Sequence, residues 1–368
     1  MQTNEGSGGN GMLASLTVMC QGFIRNGHHC DRSISHTRAA RIDRQGRGAG
    51  AGVWGQMFLV LAPGCQNPNV AGHSVGDQGT QAQRWKQGMA CRAGTQRMPL
   101  TKFQHEVLGV IVANRSEKSH FAGGLVLNAA EDSPRYSKDF DVFHDEVSDL
   151  DVTSEHDVVS LESAGYAVEK LNAYGEWDKP SSFRKAIVKR GDEQVSLDWA
   201  HDSAFRYFPI VTDPLLGWRL HLFDMAVNKA LALSARTVTR DYIDILELAR
   251  IYPLEAIVWA ACGKDEGFSP LFLLAMMRRF AKIEPGTLDK IRARELDPIA
   301  MKIEWITISD KAEEEIIRLA DTRPDMPIGV AFVDDKGEPG WIGANPDLRI
   351  HYGSIRGCWP TISAVDEP

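Results

Sequence analysis

The feature that most constrains this chain is a change of texture at Met98. Before it, residues 1–97 hold 17 of the 33 glycines, and stretches such as GRGAGAGVWG and QGTQAQRWKQG keep neither helical nor strand periodicity. After it, MPLTKFQHEVLGVIVANR places Phe103, Val107, Val110 and Ile111 on one helical face. The folded body is therefore expected from Met98 onward. Residues 1–97 are expected to be a disordered tail or an over-extended gene start, with Met98 as the true initiator. Gly50, Gly52 and Gly55 spell GxGxxG, but no strand precedes them and no helix follows, so they are composition and not a dinucleotide site. His28, His29 and Cys30 find no second cluster that would complete four ligand positions.

Charge divides at the same boundary. Residues 1–97 carry ten Lys and Arg against four Asp and Glu, and the remainder carries 31 against 45. An acidic body lacks the clustered cations that general nucleic-acid binding requires, so any such contact is local. Six scattered cysteines without a CxxC pair argue against a zinc ribbon or a disulfide framework. Apolar runs such as Met57–Pro63 and Leu271–Met277 fall short of the ~20 residues a membrane span needs. No basic segment feeds an apolar core at the N-terminus. No membrane association is expected, and the cytoplasm is the default compartment.

From Met98 the patterning predicts a helix at about 102–117, strands at FAGGLVLN and KDFDVFH, a helix at about 154–164, and strands at AVEKLNA, FRKAIVKR and EQVSLDWAHD. Helices then dominate through WRLHLFDMAVNKALALSAR, RDYIDILELARIY, LEAIVWAACGK and SPLFLLAMMRRFAKI. The expected class is α+β, with a small mixed β-sheet domain at 98–212, a helical domain at 213–300, and a small appended unit at 301–368. The last contains an amphipathic stretch, SDKAEEEIIRLAD, and a strand, IGVAFVDD.

The chemistry concentrates in FAGGLVLNAAEDSPRYSKDFDVF. Alternation along a strand places Asp139 and Asp141 on one face and leaves Phe140 and Val142 for packing. Two carboxylates so spaced on a rigid strand suit hard cations such as Mg²⁺ bound jointly with substrate phosphates. In EQVSLDWAHD, Val195, Leu197 and Trp199 alternate with Ser196 and Asp198, so Asp198 leaves the core face and can complete the set if its strand lies adjacent. The plainer alternative is a surface DxD paired with Lys138 or Arg135. A glycine turn, a DxD strand and a later strand aspartate in this order favour the site.

With these motifs the sequence resembles the nucleotidyltransferase superfamily of DNA polymerase β. More closely it looks like the AbiEii/AbiGii toxin family, through FAGGLVLN, RYSKDFDVF and LHLFDMAVNKALALSARTVTRDYIDILEL, over roughly residues 103–280. The resemblance implies a nucleotidyltransferase domain followed by a helical one, and transfer of a nucleotide from an NTP to a hydroxyl. The acceptor would be RNA, such as a tRNA 3′ end, or a protein side chain. It further implies that Asp139 and Asp141 ligate metal, with Asp198 acting near the attacking hydroxyl as ligand or base. Gly123 and Gly124 would let the backbone approach the triphosphate, and Ser137 would donate to a phosphate oxygen. Lys229, Arg240, Asp241 and Asp244 would join the nucleotide site, although Asp241 and Asp244, at i,i+3 on one helix face, also suit a structural role. The family's glycine turn is often followed by Ser or Thr, whereas GGLVL offers no hydroxyl. A toxin of this kind implies a separate antitoxin partner. Two alternatives share the fold: an idle binding module, and an enzyme that modifies a small molecule such as an antibiotic. His221, Trp218 and Trp259 read as structural.

Overall fold

Thr101 opens the first helix with reciprocal capping: its hydroxyl accepts from the Gln104 backbone N–H at 3.1 Å, and the Gln104 side chain accepts from the Thr101 N–H at 2.9 Å. The computed structural model describes residues 100–361, apart from 130–132, 173–175, 237, 280–282, 284–285 and 293. The expectations about residues 1–97, the start at Met98, the Gly50–Gly55 motif and the His28–Cys30 cluster all lie outside the described residues.

Helix α1 (Lys102–Ile111) buries Phe103, Val107 and Ile111 of the expected face together with Leu108, while Val110 is only partly buried. It ends in a short 3-10 turn, Val112–Asn114, some residues before the expected boundary. Strand β1 (Ser119–Ala122) runs into a short helix, α2 (Gly123–Asn128). This corrects the expected strand FAGGLVLN, of which only Phe121 and Ala122 are extended. A four-residue apolar run does not distinguish strand from buried helix, and Gly123, at φ +64°, turns the chain.

Next come β2 (Asp139–His144), α3 (Val147–Ser163), β3 (Ala167–Lys170), β4 (Phe183–Arg190) and β5 (Glu193–His201). Short strands β6 (Phe205–Arg206), β7 (Val211–Asp213) and β8 (Gly217–Arg219) follow. One seven-stranded sheet has the order β3-β4-β5-β2-β1-β8-β7. Strands β2 and β5 are parallel neighbours, as are β1 and β8, while the other pairs are antiparallel. The sheet is therefore mixed, and its two central strands carry the expected aspartates.

The helical half comprises α4 (Leu222–Ala235), α5 (Thr239–Ala249), α6 (Leu254–Lys264), α7 (Pro270–Met277), α8 (Thr287–Ile291) and α9 (Pro298–Thr322). Asp297 caps α9 by accepting from Ile299 and Ala300 N–H, with Pro298 preset for the first turn. Strands β9 (Val330–Val333), β10 (Pro339–Gly340) and β11 (Arg349–Tyr352) form a small sheet in the order β10-β9-β11, and β12 (Ser354–Ile355) pairs with β6. The fold is thus α+β, a mixed sheet with helices followed by a helical region. Among the described residues no helix is long and apolar enough to cross a membrane.

The apolar side chains gather in two clusters. One lies between the large sheet, α1 and α3 and contains Phe103, Phe121, Phe140, Leu150 and Trp199. The other joins α4 to α7 with the C-terminal residues Trp305, Ile316, Phe332 and Trp341. Leu127 and Leu222 pack against both. His221 caps α4, its Nδ1 accepting from Phe223 N–H at 3.2 Å, and Trp259 is buried in the helical cluster.

Candidate active site

Hydrophobic alternation fixes which way the acids face. In β2, Phe140 and Val142 are wholly buried, which turns Asp139, Asp141 and Phe143 to the opposite side. Parallel pairing of β2 with β5 then sets Asp141 directly beside Asp198 and Asp139 beside Ser196. On its other edge β2 pairs with β1, where Ala122 lies opposite Asp141. On the far side of β5, Lys185 of β4 lies opposite Asp198. A single row thus crosses four strands: Lys185, Asp198, Asp141, Ala122.

The turn after Ala122 is shaped around Asp141. The Gly124 N–H donates to Asp141 Oδ2 at 3.3 Å. A Cβ on Gly123 would stand 1.9 Å from the same oxygen, so both the positive φ and the space demand glycine there. A Cβ on Gly124 would meet the Arg135 guanidinium at 2.9 Å and Ser137 Oγ at 3.1 Å. The glycine pair lets Asp141, Arg135 and Ser137 close in on the start of α2.

The segment leading into β2 is anchored from three directions. Gln104 Nε2 of α1 donates to the Ser137 carbonyl at 2.8 Å, and the Tyr136 N–H donates to the Ile291 carbonyl at 2.8 Å. Arg135 grips Asp244 through Nε at 2.7 Å and a terminal nitrogen at 2.6 Å. Ser137 is buried, and its hydroxyl donates to the Asp139 carbonyl at 3.1 Å. The strand that carries the acids is thus tied to α1, α5 and α8.

Two groups of acids meet near this point in opposite electrostatic conditions. Burial, reinforced by Asp198 and Asp139, pushes the Asp141 carboxyl up to about 7 against the pull of Lys229 and Arg240. Burial also raises Asp198, although Lys185 donates to its two oxygens at 2.7 and 2.9 Å and Ser196 Oγ donates at 2.9 Å. Asp139 is partly exposed and stands 3.7 Å from Arg240.

On the helical side, burial opposes ionisation of Asp244, yet Arg135 and Lys229 overcome it and hold the carboxyl well below the usual range. Asp241 is lowered in the same way, burial being outweighed by Lys229 and Arg236. Lys229 is buried and lies 3.1 Å from Asp241 and 2.8 Å from Asp244, so the i,i+3 acids of α5 do share one face and receive one lysine between them. Arg236 donates to Asp241 at 2.7 and 3.2 Å.

The structure therefore brings Asp139, Asp141, Asp198, Gly123, Gly124 and Ser137 together at the central strands of the sheet, with Arg240 beside Asp139. It places Lys229, Asp241 and Asp244 in a buried ion-pair network that reaches the glycine turn through Arg135. Sequence reasoning did not assign Lys185. The alternation in FRKAIVKR marks its strand, but its partner depends on a register that the sequence does not state.

Among the described residues no group of three or more His, Cys, Asp or Glu is preassembled to hold a metal ion. The donor set nonetheless fits a cation that takes part of its coordination from substrate. It consists of hard carboxylate oxygens, and burial together with Asp198 and Asp139 penalises the charged form of Asp141, a penalty that a bound cation would offset.

No family model matches this chain, and no curated protein matches it. Among solved structures, MenT4, a nucleotidyltransferase toxin from Mycobacterium tuberculosis H37Rv, superposes with a TM-score of 0.41 at 13% identity, over 61% of this chain and 88% of that one.

Proposed function

We propose that the chain is a metal-dependent nucleotidyltransferase that moves a nucleotide from an NTP to a hydroxyl acceptor. The observation that carries this reading is the register of β2 and β5, which sets Asp141 against Asp198 with Asp139 two residues earlier on the same face. An acceptor hydroxyl oxygen attacks the α-phosphorus and forms a new phosphoester bond. The bond between that phosphorus and the bridging oxygen to the β-phosphate breaks, and pyrophosphate leaves with the bonding pair. The hydroxyl proton passes to Asp198, whose raised carboxyl makes it a stronger base than a solvated aspartate.

Asp139 and Asp141 would hold Mg²⁺, with Asp198 as a further ligand or the base. When bound, the ion supplies neutralisation of phosphate charge and orientation of the polyphosphate. Arg240, partly exposed beside Asp139, is placed to contribute positive charge to the polyphosphate. The Lys229, Asp241, Asp244 and Arg135 network holds α4, α5 and the segment before β2 in fixed relation. Its role in nucleotide binding is to keep Ser137 and the glycine turn in place.

The resemblance of FAGGLVLN, RYSKDFDVF and the later LHLFDMAVNK and RDYIDI segments to the AbiEii/AbiGii toxins suggests the acceptor class and the biology. RNA or protein would receive the nucleotide, and a separate antitoxin would restrain the enzyme. Expression of the full chain should then arrest growth, and Asp139→Asn should relieve the arrest; unchanged growth at good protein levels would remove the toxin part of the proposal.

The enzymatic test incubates the full chain with Mg²⁺, each labelled NTP and total cellular RNA, beside an Asp139→Asn/Asp141→Asn variant. Label in RNA or in protein, with pyrophosphate released and both lost in the variant, is the expected result and names the acceptor. No incorporation together with no Mg²⁺-dependent NTP binding would overturn the reading in favour of an idle binding module.

A further inference from the structure

Among the described residues, Lys185 is the cation held most closely to any of the three strand acids. Its ammonium donates to both oxygens of Asp198, at 2.7 and 2.9 Å, and Ser196 Oγ adds a third hydrogen bond to Oδ1 at 2.9 Å. A carboxylate offers about four lone-pair directions, so three are already occupied from within the protein. Lys185 and Asp198 are directly opposite across the β4–β5 ladder, and their side chains are only 17% and 7% exposed. The pair is therefore set by the sheet and not by a chance surface encounter. A metal ion using Asp198 would have to displace a largely buried ammonium from the one carboxylate it pairs with among the described residues, and that displacement costs desolvation on both sides.

The remaining cations divide clearly. Lys229 is committed to Asp241 and Asp244, and Arg135 to Asp244. Arg240 stands at the longer distance of 3.7 Å from Asp139. Asp141, with its carboxyl oxygen 3.3 Å from the Gly124 N–H, has no lysine or arginine within ion-pair distance among the described residues. Loosely compensated negative charge thus sits on the β2 side of the row, and tightly compensated charge on the β5 side.

We infer that Lys185 is a built-in second cation of this site: it occupies Asp198, so the site takes a single divalent ion, on Asp139 and Asp141. Lys185 is in this sense a positioning residue, which fixes the Asp198 carboxylate on the acceptor side without metal. The inference rests on the nucleotidyltransferase reading for the roles of the three acids, and the test below separates the two.

Mn²⁺ alone is titrated into the full chain, and bound ion is counted by calorimetry and by loss of the free-ion paramagnetic signal. The wild type should bind one Mn²⁺ per chain, Asp139→Asn should weaken that site at least tenfold, and Lys185→Met should bind two. Asp198→Asn should still bind one, which decides the matter independently if Lys185→Met fails to fold. Lys185→Arg should restore a count of one. Two ions in the wild type, one ion in a folded Lys185→Met, or loss of the ion in Asp198→Asn would each overturn the inference while leaving the nucleotidyltransferase reading intact. No Mn²⁺ bound by the wild type or by any variant would overturn the inference, while the nucleotidyltransferase reading would stand or fall on Mg²⁺-dependent NTP binding and transfer.

Discussion

Asp141, half-buried beside the start of α2, and Asp244, buried beside its last residue Asn128, are driven in opposite directions by their surroundings. Burial and then two neighbouring acids push Asp141 up to about 7, whereas burial of Asp244 is outweighed by Arg135 and Lys229, which hold it far below the ordinary carboxylate range. The difference lies in the partners. An acid whose charge is matched by buried cations fastens the structure together, and an acid left among other acids holds a place for a cation from outside. The acid row on the central strands is thus built to bind, and the α4–α5 network is built to hold.

The largest expected effect breaks this comparison at Asp141. Asp141→Asn removes a ligand of the proposed ion, which supplies several kcal/mol of charge stabilisation, so nucleotide transfer should fall by at least ~10³-fold. Relief of repulsion with Asp198 and Asp139 should leave the melting temperature unchanged or higher. A variant that lost stability and kept its transfer rate would reverse the two roles.

Asp244→Asn should do the opposite. Removing one partner from a buried ion-pair network leaves Arg135 and Lys229 short of a carboxylate, at a cost of about 3–5 kcal/mol in unfolding free energy. Denaturant unfolding should show the loss directly. Activity below the transition should fall less than in Asp141→Asn. A stability change under ~1 kcal/mol would mean that the network does not hold the helices.

The opposite end of the central strands sharpens the comparison through groups left without partners. His120 and His144 are buried, and unpartnered ring nitrogens are found on both. Burial, helped by Arg206 for His120 and by Arg115 for His144, pushes each imidazole down to about 3. The folded protein refuses a proton that the unfolded chain accepts below about 6.5. Stability is therefore fully present above that pH and is lost as pH falls toward 3, at about 1.4 kcal/mol per pH unit for each histidine. His120→Gln should remove one such increment from the slope measured between pH 6.5 and 5. An unchanged slope would show that His120 takes up its proton in the folded state.

The smallest effect concerns Arg240. The Arg240 and Asp139 side chains are about one-third exposed and 3.7 Å apart, so Arg240→Met should cost under ~1 kcal/mol of stability. Loss of a positive charge at the polyphosphate should raise KM for the NTP roughly tenfold with little change in kcat. A change in kcat without a change in KM would place Arg240 in the chemical step.

The candidate acids were legible because strand alternation is strict: once Phe140 and Val142 must be buried, Asp139 and Asp141 have one side left to occupy. Asp198 followed from Val195, Leu197 and Trp199 in the same manner. The i,i+3 spacing of Asp241 and Asp244 announced a shared helix face, and Lys229 does contact both. What failed was the helix at Gly123–Asn128, read as strand, because a short apolar run carries no period. Helix α3 also begins at Val147, ahead of the expected 154, because its first turns are acidic and only weakly amphipathic.

By itself, then, the sequence determined an α+β body in which alternating strands present aspartates and amphipathic helices follow, since local periodicity is written residue by residue. Only the tertiary structure decided that β2 lies parallel to β5, that Lys185 comes to rest on Asp198, and that Asp244 and not Asp141 receives Arg135. Those outcomes depend on strand order and on pairings 13 and 109 residues apart. No local pattern encodes them, because register and ion pairing are chosen by the whole core as it closes.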